Sequence, residues 1–401
     1  MARNQSVLFV ATTDSYLKWA QGLRSELAGQ IPSTLYMLKS LQNPSARQTV
    51  IAVGQEQAAA LERKHLFTVL RWIRRNKPTA VVVAATSPAL VVMRWLLNFS
   101  SWGRAVALVS GSPGIAYHLV GKPLKARAEA DLIIVASTRE LERFTRALEQ
   151  LGSKSSLALS TLPFLESVRD SEKFSGPKTL VFAPQPDMPK SKQDRERVLL
   201  SLNEIASREP DLKVVVKLRA IDGEAQTHYE SFSYPELTSE LVASGRLRAG
   251  RLEFVLGSIQ EQLLNENASL MTLSSTAALE AMASGNPIQI IDDFGVSDEI
   301  ATSVFEGSEI LLPILQFNSN ELREPADRWL TENYFHPREL NDWIEALDQL
   351  STTAMPKVRT LIPKSLGLSM FVGELLRLVF PNAFGRSLIK LLKRIAGKEA
   401  G

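Results

Sequence analysis

The stretch that decides the fold is "SLMTLSSTAALEAMASGNPIQIID", residues 269–292. An apolar run typical of a strand ends at three hydroxyl residues, Ser274, Ser275 and Thr276, and a helix of small residues is predicted to begin at once. A single hydroxyl there would satisfy backbone N–H groups as an N-cap. Three hydroxyls favour a second interpretation, in which the start of the helix binds an anion such as a phosphate group.

The same alternation of strand and helix continues on both sides of this stretch. In the second half of the chain the predicted strands are Thr179–Ala183, Leu212–Lys217, Leu252–Val255, Ser269–Leu273 and Ile288–Ile291. In the first half they are Val7–Ala11, Thr34–Met37, Thr49–Val53, Ala80–Ala84, Ala105–Val109 and Leu132–Ala136. Alternation of this kind predicts parallel strands with helical crossovers, and fully apolar runs predict strands that are buried on both faces.

The chain is therefore predicted to contain two α/β domains in series. We assign residues 1–165 to an N-terminal domain and residues 179–352 to a C-terminal domain, including helices around 320–332 and 338–350. The polar segment "ESVRDSEKFSGPK", residues 166–178, is the predicted linker. Residues 353–401 form a basic helical tail.

The end of one strand in the second domain carries two cations. Lys217 and Arg219 follow the run "LKVVV". Because ligands of open α/β sheets bind beyond the carboxyl ends of the strands, these cations and the three hydroxyls are candidates for one phosphate or diphosphate site. Glu280, one turn into the following helix, is a candidate ligand of a ribose. The alternatives are a solvated strand end for Lys217, a cap for Ser274 and a surface position for Glu280.

Two stretches at the strand ends of the first domain carry candidate catalytic groups. "ATTDSY" places Asp14 at the mouth of an expected cleft between the domains, where a carboxylate is a candidate general base. Asp14 is equally well explained as a helix cap. The loop "SGSPGIAYH" supplies His118 as a second candidate base, and its glycines would let the backbone approach a ligand closely. The candidate loop residues are Ser110, Gly111, Ser112 and Gly114.

Composition excludes several classes of protein. The chain has 401 residues, of which 45% are hydrophobic and 22% charged, as in a globular protein. It has no cysteine, so disulfides and thiolate metal sites are excluded. The first residues are typical of a strand rather than a signal peptide. No Walker loop, G-x-S-x-G elbow or G-x-G-x-x-G after the first strand is present, and four scattered His predict no zinc site and no metal or cofactor.

The charge is distributed unevenly along the chain. Residues 356–401 hold nine Lys and Arg against two Glu, a charge of +7, so a net charge of +3 leaves residues 1–355 at −4. This pattern argues against a nucleic-acid partner, whose binding face would spread its cations among aromatic residues. The sequence carries no signal for an oligomeric state.

The tail contains a basic amphipathic segment after Pro381. Its apolar residues fall on one helical stripe: Phe384, Leu388, Leu391, Leu392 and Ile395. Its cations take the remaining positions: Arg386, Lys390, Lys393 and Arg394. Such a helix suits an anionic membrane surface, although packing on its own domain would also explain the stripe. The stretch "RKHLFTVLRWIRRNK", residues 63–77, with six cations and no acid, is a candidate second contact. We therefore expect a cytoplasmic protein that is peripheral on the inner membrane face.

Residues 269–292 resemble a passage of bacterial sialyltransferases and polysialyltransferases, and also of the non-hydrolysing UDP-GlcNAc 2-epimerases. The two-domain organisation is similar to the GT-B glycosyltransferase architecture, with Rossmann-like domains that face each other across a cleft, and the whole chain resembles a bacterial family of glycosyltransferases. The resemblance implies that Ser274, Ser275 and Thr276 contact the donor phosphate and that an acid of the first domain, mapped loosely onto Asp14, is the base. The His-Pro motif of the sialyltransferases is replaced here by "KLRA", residues 217–220, so the donor need not be a CMP-sugar.

The resemblance implies a glycosyltransferase that moves a sugar from a CMP- or UDP-activated donor to a cell-envelope or lipid-linked glycan acceptor. It also implies that no bound metal is needed. Two alternatives stay open. One is a nucleotide-sugar epimerase or hydrolase of the same fold, and the other is a non-catalytic, membrane-associated protein that binds sugar nucleotides.

Overall fold

The computed structural model describes residues 5–41, 43–165, 177–185, 188–218, 232–265, 267–352 and 365–395. The chain forms two compact units. Unit 1 combines Met1–Phe164 with Pro337–Gly401, and unit 2 is Leu165–His336.

The described strands of unit 1 form a fully parallel sheet in the order β3-β2-β1-β4-β5-β6-β7. Its strands are β1 (Val7–Ala11), β2 (Ser33–Leu38), β3 (Glu62–Lys64), β4 (Ala80–Ala84), β5 (Ala107–Gly111), β6 (Leu132–Val135) and β7 (Ser156–Leu159). Its helices before residue 165 are α1 (Asp14–Glu26), α2 (Ala46–Val53), α3 (Gln55–Ala60), α4 (Leu66–Asn76), α5 (Ser87–Asn98), α6 (Ser101–Arg104), α7 (Lys122–Arg127) and α8 (Thr138–Gln150).

Unit 2 contains a second parallel sheet, in the order β10-β9-β8-β11-β12-β13. Its described strands are β8 (Thr179–Phe182), β9 (Lys213–Lys217), β10 (Leu252–Val255), β11 (Ala268–Thr272), β12 (Ile288–Ile291) and β13 (Leu311–Leu312). Its described α-helices are α9 (Lys192–Arg208), α10 (Tyr234–Ala243), α11 (Ile259–Asn265), α12 (Ala277–Ala283) and α13 (Asp327–Glu332).

The central strands are buried throughout because helices cover both faces of each sheet. All residues of β1, β4 and β11 are buried. In unit 1, Leu8 and Val81 belong to one hydrophobic cluster with Leu90 of α5. In unit 2, Leu180 and Val214 pack in a separate cluster with Leu202 of α9.

Strand order reverses once in each sheet, at β1/β4 in unit 1 and at β8/β11 in unit 2. At each reversal the chain leaves the two neighbouring strands toward opposite edges of the sheet. A crevice therefore opens beyond the carboxyl ends of these two strands. The predicted fold class is therefore confirmed: two Rossmann-like α/β units with parallel sheets, together with C-terminal helices.

One predicted strand is wrong. Residues Thr49–Val53 are β-branched and apolar, yet they lie in helix α2. Ser45 and Gln48 explain the difference, because each side chain accepts a hydrogen bond from the backbone N–H of the other, at 3.2 and 2.9 Å. This capping box starts a helix just before the β-branched run.

The C-terminal segment returns to unit 1, which differs from the predicted boundary at residue 352. Helix α14 (Trp343–Thr352) belongs to unit 1 rather than unit 2. Trp343 Nε1 donates to Glu26 at 2.7 Å, and Asp342 Oδ1 accepts from the backbone N–H of Leu159 at 2.6 Å. Partners so distant in the chain cannot be inferred from local sequence pattern. Most of the predicted linker, residues 166–176, lies outside the described residues.

The tail contains two helices in the described residues, α15 (Leu368–Val379) and α16 (Ala383–Ile395). Helix α15 is part of the core of unit 1, because Phe371 and Leu378 are buried there and the ring of Phe371 lies 5.3 Å from that of Trp95. The segment after Pro381, for which a membrane surface and packing on its own domain are the alternatives, forms α16, which contacts α15. No described helix is long and apolar enough to cross a membrane.

Candidate functional site

Asp14 lies at the point where the strand order of unit 1 reverses. Thr12 and Thr13 follow β1, and the backbone N–H of Thr12 donates to Ala84 at the end of β4, at 3.2 Å. Thr13 occupies the N-cap position of α1, so Asp14 is the first helical residue and is not itself the cap. The half-buried carboxylate of Asp14 lies in the first turn of this helix, where the helix dipole favours negative charge.

Ser110 and Gly111, predicted to border a ligand, are instead buried against other parts of unit 1. Arg127 is buried and donates to Ser110 Oγ at 2.8 Å, to Tyr16 Oη at 2.7 Å and to the carbonyl oxygen of Gly111. A Cβ on Gly111 would lie 2.5 Å from the ring of Trp19. Position 111 therefore requires glycine because the ring of Trp19, in the interior of unit 1, lies directly against its backbone.

The rest of the loop after β5 is anchored by a carboxylate that the sequence analysis missed. Glu140 is fully buried and accepts hydrogen bonds from the backbone N–H groups of Ala116, at 2.8 Å, and Ala136, at 3.0 Å. His118 lies two residues beyond Ala116 and is half-buried. Ser112 is also half-buried, whereas Gly114 is buried. The pattern "STRE", a Ser three residues before a Glu, is the signal that would have identified Glu140 as a capping residue.

The three hydroxyls of unit 2 follow β11, at the reversal of its strand order, and they divide into two kinds. Ser274 is buried, and its Oγ lies 3.0 Å from both Gln185 Oε1 and the carbonyl oxygen of Ile300. Its proton is therefore used within unit 2. Ser275 Oγ accepts from the backbone N–H of Ala277 at 3.2 Å and keeps its own proton for a further bond.

Thr276 occupies the N-cap position of α12, and within the described part of the chain its side chain makes no capping hydrogen bond. The simple cap interpretation therefore fits Ser275 better than Thr276. Glu280 lies one turn further along the same helix, where positions four residues apart share a face, and it is half-buried. Thr276 and Glu280 are thus neighbours on α12.

Lys217 ends β9, which pairs with β8, and β8 pairs with β11. Two strand spacings, about 10 Å, therefore separate the end of β9 from the end of β11. Lys217 is half-buried. Arg219, the second predicted cation, lies outside the described residues.

Two further polar groups shape the strand ends of unit 2. Arg195 is buried and donates to the carbonyl oxygens of Pro189, at 2.8 Å, and Phe232, at 2.7 Å, so it ties the loop after β8 to the start of α10. Asp292 follows β12, and burial together with the neighbouring carboxylate of Asp293 raises the pKa of Asp292. Arg195 stands in no local motif that sequence analysis would single out.

A cavity of about 640 Å³ lies near the amino ends of the strands of the first sheet, beside the end of α1 and the start of β2. Arg24, Gln30 and Ser33 are among its lining residues. We do not assign it to the candidate site, because ligands of open α/β sheets bind at the carboxyl ends of the strands.

The predicted residues therefore form two separate groups, each at the carboxyl edge of one sheet. Asp14 and the loop of His118 belong to unit 1, and Lys217, Ser275, Thr276 and Glu280 belong to unit 2. Among the described residues no group of three or more His, Asp or Glu side chains is placed to bind a metal ion.

A family model described as "Putative glycosyltransferase (DUF6716)" matches residues 7–350, which include both sheets and both groups of candidate residues. The chain belongs to this family. No protein with a curated function matches this chain.

Solved structures similar to this DUF6716 protein share its fold at low sequence identity. UDP-GlcNAc 2-epimerase from Methanocaldococcus jannaschii is 10% identical, with a TM-score of 0.54 over 86% of this chain and 99% of that one. A second structure of that archaeal enzyme, with UDP-GlcNAc and UDP, is 13% identical, with a TM-score of 0.50 over 86% and 99%. S. aureus MnaA, in a co-structure with UDP, is 9% identical, with a TM-score of 0.50 over 84% and 93%. These likenesses show the fold.

Proposed function

We propose that this protein transfers a sugar from a nucleotide-activated donor to a hydroxyl group of a cell-envelope or lipid-linked glycan. The proposal is supported first by membership of a family described as glycosyltransferases, whose model extends over both units. Its chemistry requires an anion-binding group for the donor phosphate and a base for the acceptor hydroxyl. Each unit has candidate residues for one of these roles.

The observation that carries the proposal is the position of these residues relative to the sheets. Asp14 follows β1 in unit 1, and Ser275 and Thr276 follow β11 in unit 2, so both groups lie where strand order reverses. Ligand sites of doubly wound folds occur at such points, because neighbouring connections diverge there. Residues that only cap helices need not occur at the point where strand order reverses in both sheets.

We assign the donor phosphate to unit 2. Ser275 Oγ and Thr276 Oγ1 are the hydroxyl donors in this proposal, and Lys217 supplies positive charge from the end of β9, two strands away. Arg219 follows two residues later in the sequence. Hydrogen bonds to a charged phosphate are stronger than those between neutral groups, so a few hydroxyl and ammonium groups suffice to bind the sugar nucleotide. Ser274 takes no part, since its proton is used by Gln185 or Ile300.

The proposed reaction is a displacement at the anomeric carbon. The acceptor oxygen forms a bond to that carbon, while the bond from the carbon to the phosphate oxygen breaks and its electron pair leaves with the nucleotide. Asp14 or His118 takes the proton of the acceptor hydroxyl. Ser275, Thr276 and Lys217 stabilise the negative charge that develops on the leaving phosphate. No step in this scheme assigns a role to a metal ion.

Uridine sugars are the first donors to test. The similar structure of S. aureus MnaA contains UDP, and that of the M. jannaschii epimerase contains UDP-GlcNAc and UDP. A CMP-sugar is the second choice, supported by the resemblance of residues 269–292 to sialyltransferases. Against it, "KLRA" stands where those enzymes have a His-Pro motif.

A thermal-shift screen of UDP, CMP, GDP and their sugars against the intact protein tests donor binding. A nucleotide that binds the folded state at about 100 times its Kd stabilises it by ~2.7 kcal/mol, which raises the melting temperature measurably. We expect one nucleotide and its sugars to give this shift and the others to give none. Transfer is then followed by mass spectrometry of cell-envelope glycan extracts incubated with the protective donor. Absence of a shift with every nucleotide would contradict the proposal.

An epimerase or hydrolase of the same fold is the second candidate, favoured by the similarity to the UDP-GlcNAc 2-epimerases. Such an enzyme would alter the donor without an acceptor. NMR of the donor incubated with the protein alone distinguishes the candidates, because an epimerase inverts the sugar at C2 and a hydrolase releases the sugar, whereas a transferase without acceptor leaves the donor intact. Nucleotide protection without turnover in either assay would instead identify a binding protein.

A further inference from the structure

Helix α16 is held on the surface of unit 1 by its contact with α15. Phe371, Leu378 and Glu374 of α15 are buried, so α15 is firmly part of that unit. A Cβ on Gly385 would lie 2.0 Å from the carbonyl oxygen of Phe380. Only glycine therefore fits at the point where the first turn of α16 meets the end of α15. The side chain of Asn382 accepts from the backbone N–H of Gly385 at 3.2 Å.

The outer side of α16 combines exposed apolar and basic residues. Phe384 is 57% exposed and Leu391 is 53% exposed, and a spacing of seven residues places them on one line along the helix. Arg386 and Lys390 are also exposed and lie at other angles around the helix axis. Neither of these two cations forms a salt bridge with another described residue.

Exposed apolar residues also occur on α15, and exposed apolar and basic residues occur on α4. Phe67 at the start of α4 is more than half exposed, as are Leu368 and Met370 in and beside the first turn of α15. Helix α4 also exposes Arg71, Arg74 and Arg75, and α15 contacts both α4 and α16. We call the exposed residues of these three helices the apolar–basic surface. A contiguous exposed apolar patch with polar residues around it marks an interaction site, whereas single exposed apolar residues are ordinary protein surface.

We propose that the apolar–basic surface binds an anionic lipid bilayer, with Phe384, Leu391 and Phe67 in the interface and the cations beside the headgroups. Charge decides between possible occupants. Residues 356–401 carry +7 while the remainder of the chain carries −4, so the cations are concentrated in the segment that supplies α15 and α16. An anionic leaflet complements them, whereas a second copy of the chain would bring like charges together.

This proposal goes beyond the proposed glycosyl transfer and does not depend on it. A basic amphipathic helix with exposed aromatic and leucine side chains lies in the plane of the interface without crossing it. Binding of this kind combines burial of apolar area with attraction to anionic lipid. Substitution of the apolar residues and substitution of the cations can remove these two contributions separately.

Co-sedimentation with vesicles of phosphatidylcholine alone, or with about one third phosphatidylglycerol, tests the proposal on the full-length chain. We expect binding to the anionic vesicles only, and weaker binding as the salt concentration rises, since salt screens exposed charges. Arg386→Gln with Lys390→Gln should lower the partition coefficient by ~10-fold or more, because each cation near an anionic surface contributes several-fold. Phe384→Ser with Leu391→Ser should lower it by a similar factor.

Matched controls replace residues of the same types elsewhere. Leu340→Ser changes an exposed apolar residue outside this surface, and Lys154→Gln with Arg248→Gln removes two exposed cations. Both controls should bind vesicles like the unaltered protein. The Arg386/Lys390 pair changes only exposed groups, so it tests the proposal even if the apolar pair reduces stability.

Equal binding by the Arg386/Lys390 variant and the unaltered chain would overturn the proposal. So would equal binding to vesicles with and without phosphatidylglycerol. If the apolar pair instead changes the mass of the protein measured by light scattering, the surface joins two copies of the chain and the lipid assignment is wrong. Vesicle binding is measured without any nucleotide, so its outcome is independent of whether the protein transfers sugars.

Discussion

Glu140 accepts a hydrogen bond from the backbone N–H of Ala116 at 2.8 Å, with the same carboxylate that accepts from Ala136 at 3.0 Å. One buried side chain thereby joins the loop after β5 to the start of α8. The loop includes His118, so the position of a candidate base depends on a residue more than twenty positions away in the chain.

Replacing Glu140 should therefore destabilise unit 1. Glu140→Gln keeps the size of the side chain but turns one of its two acceptors into a donor that faces a backbone N–H. We expect a loss of ~1.5–3 kcal/mol of unfolding free energy, the scale of a hydrogen bond to a charged group. Denaturant unfolding followed by circular dichroism measures it. Glu142→Gln is the control, since Glu142 is exposed on the same helix in a 3.6 Å ion pair with Arg146 and should matter little. Equal stabilities of the two variants would show that the Ala116 contact contributes nothing.

Asp14→Asn and His118→Gln distinguish the two candidate bases of the proposed transferase. The variant that removes the true base should retain nucleotide affinity and lose about 100-fold or more in turnover. The other should change turnover only slightly. Because Asp14 lies in the first turn of α1, Asp14→Asn should cost only ~0.3–1 kcal/mol of stability. Turnover unchanged in both variants would exclude both assignments.

The hydroxyls after β11 should separate into binding and structural residues when they are replaced one at a time. Ser275→Ala and Thr276→Val should weaken nucleotide binding measured by calorimetry and leave the melting temperature close to that of the unaltered protein. Lys217→Ala should weaken it by ~10-fold or more. Ser274→Ala is the matched control: its Oγ bonds at 3.0 Å lie inside unit 2, so it should lose ~1–3 kcal/mol of stability with little direct effect on the nucleotide. The reverse pattern would place the phosphate on Ser274.

Gly111→Ala should destabilise unit 1 even though the change adds a single methyl group. That methyl carbon would lie 2.5 Å from the ring of Trp19 and 2.9 Å from the carbonyl oxygen of Ile134. Forcing atoms into a filled interior typically costs ~1–3 kcal/mol. Gly373→Ala is the control, because it lies within α15 and its added Cβ would have no atom within 4 Å apart from the adjoining backbone of its own helix, so it should raise stability by ~0.5–1 kcal/mol. Opposite shifts in melting temperature are expected, and a rise for Gly111→Ala would show that the Trp19 contact is not tight.

Glu374 should make stability depend on pH. Burial raises the pKa of this carboxyl, although Arg377, which donates to it at 3.1 Å, acts in the opposite direction. A raised pKa in the folded state means that the contribution of Glu374 is fully present below its unfolded pKa and is lost as the pH rises through the folded pKa. Glu374→Gln should therefore match the unaltered protein at low pH and melt at a higher temperature near pH 8. Melting curves across this range measure the difference. A Gln variant that is less stable near pH 8 would mean that the Arg377 ion pair outweighs burial.

Much of the fold could be predicted because it depends on neighbouring residues. Val7–Ala11, Ala80–Ala84 and Ile288–Ile291 are strands with the predicted bounds. The first two are apolar along their whole length, as is typical of parallel strands buried on both faces. Local sequence also led to one wrong prediction. Thr49–Val53 has the composition of a strand, but the capping box of Ser45 and Gln48 makes it a helix.

The sequence by itself determined the two Rossmann-like units and the junction at residues 274–276, because strand–helix alternation and hydroxyls at a helix start are properties of adjacent residues. Only the tertiary structure decided that Ser274 faces Gln185 and Ile300, that Glu140 holds Ala116, and that Trp343 returns to Glu26 in unit 1. In each case the partner lies 24 to 317 residues away in the chain. Such contacts depend on how the sheets and helices pack, and no periodicity in the sequence encodes which distant side chains will meet.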